Sequence, residues 1–233
     1  LNFNFFVVEK ESSLRDIAIN DGIESYENFE QLLKFVDVAN LDIIFLAVKP
    51  QQMSEAISVF SRINFSKTLF ISIAAGLSFD WFQSKLKKNI KLVRAMPNLP
   101  ASVGFGVTGF CRTNNVREID LQDVKELLKA FGKAVYLENE TFIDIVTAIS
   151  GSGPAYVFYF VEVLSKIGIN LGLSERDSKV LAKETVIGSA RLLEMSNIDP
   201  KVLKENVTSP GGTTEAGLEI LASDDHGLYN LLD

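Results

Sequence analysis

The sequence predicts an α/β domain followed by an all-helical one. Two observations carry this. Short apolar runs alternate with helical patterns up to about residue 141, as in a sheet with right-handed crossover helices. From residue 142 onward the strand signals stop and long helical patterns take over. The chain has 233 residues, 47% of them hydrophobic, enough to build substantial cores.

Each element can be justified in order. NFFVV (4–8) reads as a strand. LDIIFLAV (41–48) is apolar without alternation, the pattern of a strand buried on both faces. Met53, Ala56, Ile57 and Phe60 follow at helical spacing. TLFISI (68–73) is a second buried strand, and it ends in Ala74, Ala75 and Gly76. Ser78 suits the cap of a helix that carries Trp81, Phe82 and Leu86. IKLVR (90–94) is a third strand. VGFGVTGF (103–110) is a fourth, weakened by its glycines. A helix from Arg117 to Phe131 ends at Gly132 as a C-cap, and AVYL (134–137) closes the first domain.

In the helical half, residues 156–171 are apolar nearly all round, which predicts burial on every side. Ala182, Gly188, Ser189 and Ala190 permit close helix packing. A half this apolar cannot satisfy itself alone, and an obligate subunit interface is the simplest remedy. There is no internal repeat and no low-complexity segment.

Composition narrows the function classes. The net charge of −7 argues against a nucleic-acid partner held by phosphate contacts. It also gives no support for an anionic membrane surface, and no uncharged apolar run reaches the length of a span. Cys111 is the one cysteine, so an intrachain disulfide is excluded, which fits a reducing cytoplasm. It reads as a small packed hydrophobe. His226 is the single histidine and is expected at the surface. There is no Cys/His cluster for a metal and no supported Ser/His/Asp set.

The most informative segment is SPGGTT (209–214). Its proline and glycines set a turn, and Thr213 and Thr214 stand where a helix begins. Helix N-termini carry free N–H groups and partial positive charge, so a small carboxylate is one expected occupant. A plain turn with a helix cap is the other reading of the same residues.

LAVKP (46–50), RAMPN (94–98), SGSGPAY (150–156) and NVTSPGGTT (206–214) together resemble pyrroline-5-carboxylate reductase, in order and spacing from about Phe6 to the C-terminus. The resemblance implies a Rossmann-like dinucleotide-binding domain over 1–141 and an all-α substrate and dimerisation domain over 142–233. It implies a cytoplasmic enzyme that reduces 1-pyrroline-5-carboxylate, a cyclic imine carboxylate, to L-proline with NADPH or NADH. The cofactor would be lined by Ala47, Val48, Lys49 and Pro50, by Ala74, Ala75 and Gly76, by Met96, Pro97 and Asn98, and by Asn206. The N–H groups of Gly211, Gly212 and Thr213, helped by the Ser209 hydroxyl, would anchor the substrate carboxylate. Thr214 would place its hydroxyl near the imine nitrogen. No metal is implied. A homodimer is the expected minimum, and a larger ring of dimers is open.

The chain departs from the family pattern in two places. Leu99 stands where the family often has threonine. The fingerprint strand, G-x-G-x-x-G, helix is absent, and the first residue is Leu1. One βα unit of about 20 to 30 residues is therefore expected ahead of the first strand. Glu9, after that strand, suits ribose hydroxyls, whereas Lys10, Ser12 and Ser13 suit a 2′-phosphate. Two alternatives stay open: a reductase of another small cyclic imine or oxo-acid, and a non-catalytic paralogue without a nucleotide loop.

Overall fold

The computed structural model describes residues 4–86 and 89–233. It divides into two compact units, Leu1–Tyr156 and Val157–Asp233. The sequence pattern changes at residue 142, but the helical segment just after it packs on the sheet, so the contact boundary falls later.

The first unit runs β1 (Phe6–Val8), α1 (Ser12–Asn20), β2 (Glu24–Tyr26), α2 (Phe29–Leu32), β3 (Ile43–Leu46) and α3 (Pro50–Ala56). It continues with β4 (Leu69–Ser72), α4 (Phe79–Leu86), β5 (Lys91–Met96), β6 (Gly106–Arg112), α5 (Glu118–Lys129), β7 (Gly132–Tyr136) and α6 (Phe142–Val146). β1 and β2 form a parallel pair, and β3 to β7 form a five-stranded sheet in chain order. β3, β4 and β5 are parallel. β6 runs antiparallel to β5, and β7 runs parallel to β6. The reversal at β6 is not visible in any local pattern.

Alternation across the sheet builds a core on each face. Phe70 and Leu92 join Met53, Ile57, Phe60 and Phe82 on one side. Their neighbours Ile71 and Val93 join Phe110, Leu121, Val124 and Leu128 on the other. Each fully buried side chain of this size contributes about 1.5–3 kcal/mol. All four residues of β4 are buried, as its sequence predicts. β3 is not buried on both faces: only Leu46 is buried, because β3 is the edge of its sheet. Ser78 caps α4 by accepting the Trp81 N–H at 3.1 Å. The C-cap of α5 is Ala130, and Gly132 is instead the first residue of β7. The elements α1, β2 and α2 were not expected from the sequence.

Between α6 and the next helix the chain makes a π-helical turn, Thr147–Gly151. Such turns widen a helix by one residue and often mark functional sites. α6 lies close over the sheet: a Cβ at Gly109 of β6 would stand 2.8 Å from Val146. Cys111, cross-strand from Arg94, is buried, and burial pushes its thiol up to about 12.

α7 (Gly153–Asn170) contains the unit boundary. The second unit continues with α8 (Glu175–Met195), α9 (Pro200–Asn206), α10 (Thr213–Leu221) and α11 (Leu228–Leu232). Ser174 caps α8 by accepting the Asp177 N–H. α7 and α8 approach closely at Gly168, where a Cβ would stand 2.8 Å from the Ser178 Oγ. The expected burial of residues 156–171 is not met within one chain. Phe158 is 57% exposed, Tyr159 65% and Leu171 81%. Ser165 alone is buried in α7. No helix among the described residues is long and apolar enough to cross a membrane.

Candidate functional site

Three of the expected cofactor segments come together at one edge of the sheet. β3, β4 and β5 are adjacent and parallel, with Leu46, Ser72 and Arg94 in register. Two residues further along each strand are Val48, Ala74 and Met96. In open α/β sheets ligands lie outside the carboxyl ends of the strands. The residues here suit a flat ring or a sugar. Ala47 and Val48 are exposed, Lys49 is the exposed N-cap of α3, and Pro50 opens that helix. Ala74 is buried, Ala75 is half-buried, and Gly76 turns the chain with φ +74°. That left-handed conformation suits glycine, and no atom lies within 4 Å of where its Cβ would be. Small residues and open space are what close approach of a dinucleotide requires, and this edge has both.

Met96, Pro97 and Asn98 end β5 and are half-buried. The Asn98 Oδ1 accepts the Val107 N–H at 2.9 Å, so this oxygen already holds the start of β6. Leu99 is 65% exposed and opens the 3-10 turn Leu99–Val103. Gly151, the last residue of the π turn, brings its backbone against Met96: a Cβ there would stand 3.0 Å from the Met96 Cε. The SGSGPAY segment is thus seated beside the end of β5.

At the end of β1, Glu9 Oε1 accepts the Glu11 N–H at 2.9 Å. Lys10 pairs with Glu55 of α3 at 2.8 Å, with both side chains exposed. Ser12 opens α1 and Ser13 lies in its first turn. Arg15, which sequence reasoning missed, donates to the Glu9 and Lys10 carbonyls at 2.7 Å each. A basic residue three positions into a helix after a strand was the available signal.

Asn206 and the SPGGTT segment lie in the second unit. Asn206 is the exposed last residue of α9. α10 begins at Thr213 with Gly212 as its N-cap, and no side chain caps it. Gly211 takes φ +73° to make the turn. Two of the expected anchor amides are engaged internally. Gly211 donates to Glu215 Oε2 at 2.7 Å, and Gly212 donates to the Ser209 carbonyl at 2.9 Å. The N–H groups of Thr213 and Thr214 head the helix, where no intrahelical acceptor exists. Ser209, Thr213 and Thr214 are exposed. Glu215 was missed from the sequence; its carboxylate accepts one of the amides expected to hold an anion.

Glu140 was missed as well. Its Oε1 accepts both the buried Arg94 guanidinium and the Phe79 N–H, each at 2.6 Å. His226 is exposed, and no group of three or more metal-ligating side chains gathers among the described residues.

Comparison with known proteins bears on the whole chain. The family model described as pyrroline-5-carboxylate reductase dimerisation matches residues 140–230. A pyrroline-5-carboxylate reductase of Aquifex aeolicus is 37% identical over 218 residues, covering 94% of this chain and 79% of the relative. A solved pyrroline-5-carboxylate reductase from Coxiella burnetii superposes with TM-score 0.85 at 31% identity, over 97% of this chain and 82% of that one. The Plasmodium falciparum pyrroline carboxylate reductase solved with NADP bound gives TM-score 0.79 at 28% identity, covering 99% of this chain and 93% of that one.

Proposed function

The chain belongs to the pyrroline-5-carboxylate reductase family, and on that premise we propose that it reduces 1-pyrroline-5-carboxylate to L-proline with NAD(P)H. The observation that carries the reading is the register of Leu46, Ser72 and Arg94 across three adjacent parallel strands, which sets the turns that follow them at one carboxyl edge that fits a dinucleotide. NADP in a related structure supports use of this class of cofactor. The bound dinucleotide supplies the hydride.

The remaining roles fall to this chain. Ala47, Val48, Lys49, Pro50, Ala74, Ala75, Gly76, Met96, Pro97 and Asn98 line the nicotinamide half; for Asn206, which belongs to the second unit, the family resemblance is the support. The free Thr213 N–H and the Ser209 hydroxyl anchor the substrate carboxylate. The Gly211 amide joins them once Glu215 swings away, and Gly212 contributes the turn rather than a donor. The Thr214 hydroxyl orients and polarises the imine nitrogen; an alcohol is too weak an acid to protonate it outright. Positioning supplies most of the rate. A homodimer built through residues 156–195 is the smallest working unit, since a matched dimerisation domain and bare apolar helices support it. We infer a cytoplasmic reaction, for which the single cysteine, a buried free thiol, is the support.

Turnover of pyrroline-5-carboxylate against other cyclic imines tests the substrate. Thr214→Val removes the hydroxyl with little change of shape. A transition-state hydrogen bond of this kind is worth roughly 2–4 kcal/mol, so kcat should fall about 30- to 1000-fold. Ser209→Ala should instead raise KM, because anchoring acts on ground and transition states alike. Wild-type kcat in Thr214→Val would return SPGGTT to the role of a helix cap.

A further inference from the structure

One carboxylate oxygen joins three parts of the first unit. Glu140 Oε1 accepts from Arg94 and from the Phe79 N–H, each at 2.6 Å. Arg94 lies in β5 two residues before Met96. Phe79 is the first residue of α4, three residues after Gly76. Glu140 itself stands two residues before α6. Both turns assigned above to the cofactor therefore hang on this one side chain.

The arrangement goes beyond what a buried arginine needs. Arg94 is 5% exposed and must have an acidic partner, since an unpaired buried cation is costly. Cys111 faces it across the strands and is an inert thiol, so no second acid is supplied there. Any carboxylate within reach would meet that need. The bond to Phe79 is additional. It fills one of the orphan amides at the start of α4, and Ser78 fills another through Trp81. Two of the amides at this helix start are thus occupied from within the chain, one of them by Glu140.

We propose that Glu140 is a positioning residue for the dinucleotide. It fixes where α4 begins, and so the path of residues 74–78, relative to the end of β5. The proposal rests on reading Ala74, Ala75, Gly76 and Met96 as cofactor-lining.

The test uses the native homo-oligomer and three variants: Glu140→Ala, Glu140→Gln, and the double variant Glu140→Leu with Arg94→Met. Amide hydrogen exchange at residues 74–79, thermal stability, and kcat and KM for NADPH are measured. Glu140→Ala should speed exchange at Phe79 and raise KM for NADPH about 10- to 100-fold while kcat changes far less. Glu140→Gln keeps the accepting oxygen and should rescue both. The double variant removes the orphan charge, so it should regain stability while KM for NADPH stays high. Recovery of KM along with stability would overturn the proposal, because Glu140 would then be only a counter-ion. Unchanged exchange at Phe79 in all three variants would overturn it as well. In the unsubstituted protein, NADPH should protect residues 74–79 from exchange. Absence of that protection would sink the cofactor reading of the turn, separately from the positioning role of Glu140.

Discussion

The two units bury their apolar residues in opposite ways. In the first, Phe70, Phe82, Phe110, Met53 and Leu92 are sealed within a single chain. In the second, Ser165, Ser178 and Ala182 are the buried side chains, and all are small. Its large ones face outward: Phe158, Tyr159, Phe160, Leu171, Leu192 and Met195. The second leaves its apolar helices bare, in keeping with a matched dimerisation domain. Apolar content is therefore no guide to which half is self-sufficient; what decides is whether the chain itself supplies the covering surface.

The contrast can be broken most severely at α7. Phe158→Glu should abolish assembly and leave the second unit poorly helical, while the first keeps its near-ultraviolet signal. Light scattering and circular dichroism check this. Ile119→Glu on α5, equally exposed at 56%, should do nothing to assembly. A well-folded monomer from Phe158→Glu would show that the second unit stands alone after all.

A smaller effect is expected from Phe82→Ala in the first unit. Phe82 is 0% exposed, and a cavity of this kind costs about 3–5 kcal/mol. Because the loss falls inside one chain, denaturant midpoints should shift equally at all protein concentrations. Concentration dependence of the midpoint itself would mean the two units unfold as one.

The smallest effect concerns Asp120 at the start of α5. Its carboxylate binds the Arg117 side chain and backbone and also pairs with Lys91. The Arg117 hydrogen bond, above all, holds it well below the ordinary carboxylate range. A depressed carboxylate stabilises the fold above its unfolded pKa, about 3.9, and loses that contribution as pH falls toward the folded value. Asp120→Asn should cost about 1 kcal/mol at neutral pH and flatten the acid limb below about pH 4. An unchanged acid limb in urea titrations would show that other carboxylates set it.

The sequence exposed what local pattern controls. β4 was legible because TLFISI is apolar throughout and ends in a small turn. The N-cap at Ser78 and the helix start at Thr213 were legible because capping is short-range chemistry. α1 and β2 were missed for the same reason in reverse: α1 buries no residue and has no side-chain cap bond, so its sequence carries little signal. Burial of α7 was misassigned because its apolar surface is shaped by an assembly and not by one chain. Glu140 was invisible because its partners are 46 and 61 residues away. The reversal at β6 depends on pairing partners, which no strand declares by itself.

The close approach of α6 to β6 also has a consequence for descent. A methyl group at Gly109 would collide with Val146, whose branched side chain cannot swing aside. Neither position is free to drift alone: alanine at 109 demands a smaller residue at 146, and a bulkier residue at 146 demands glycine at 109. Among relatives the two sites should change in step, so a steric fact between a strand and a helix becomes a correlated pair of letters in an alignment.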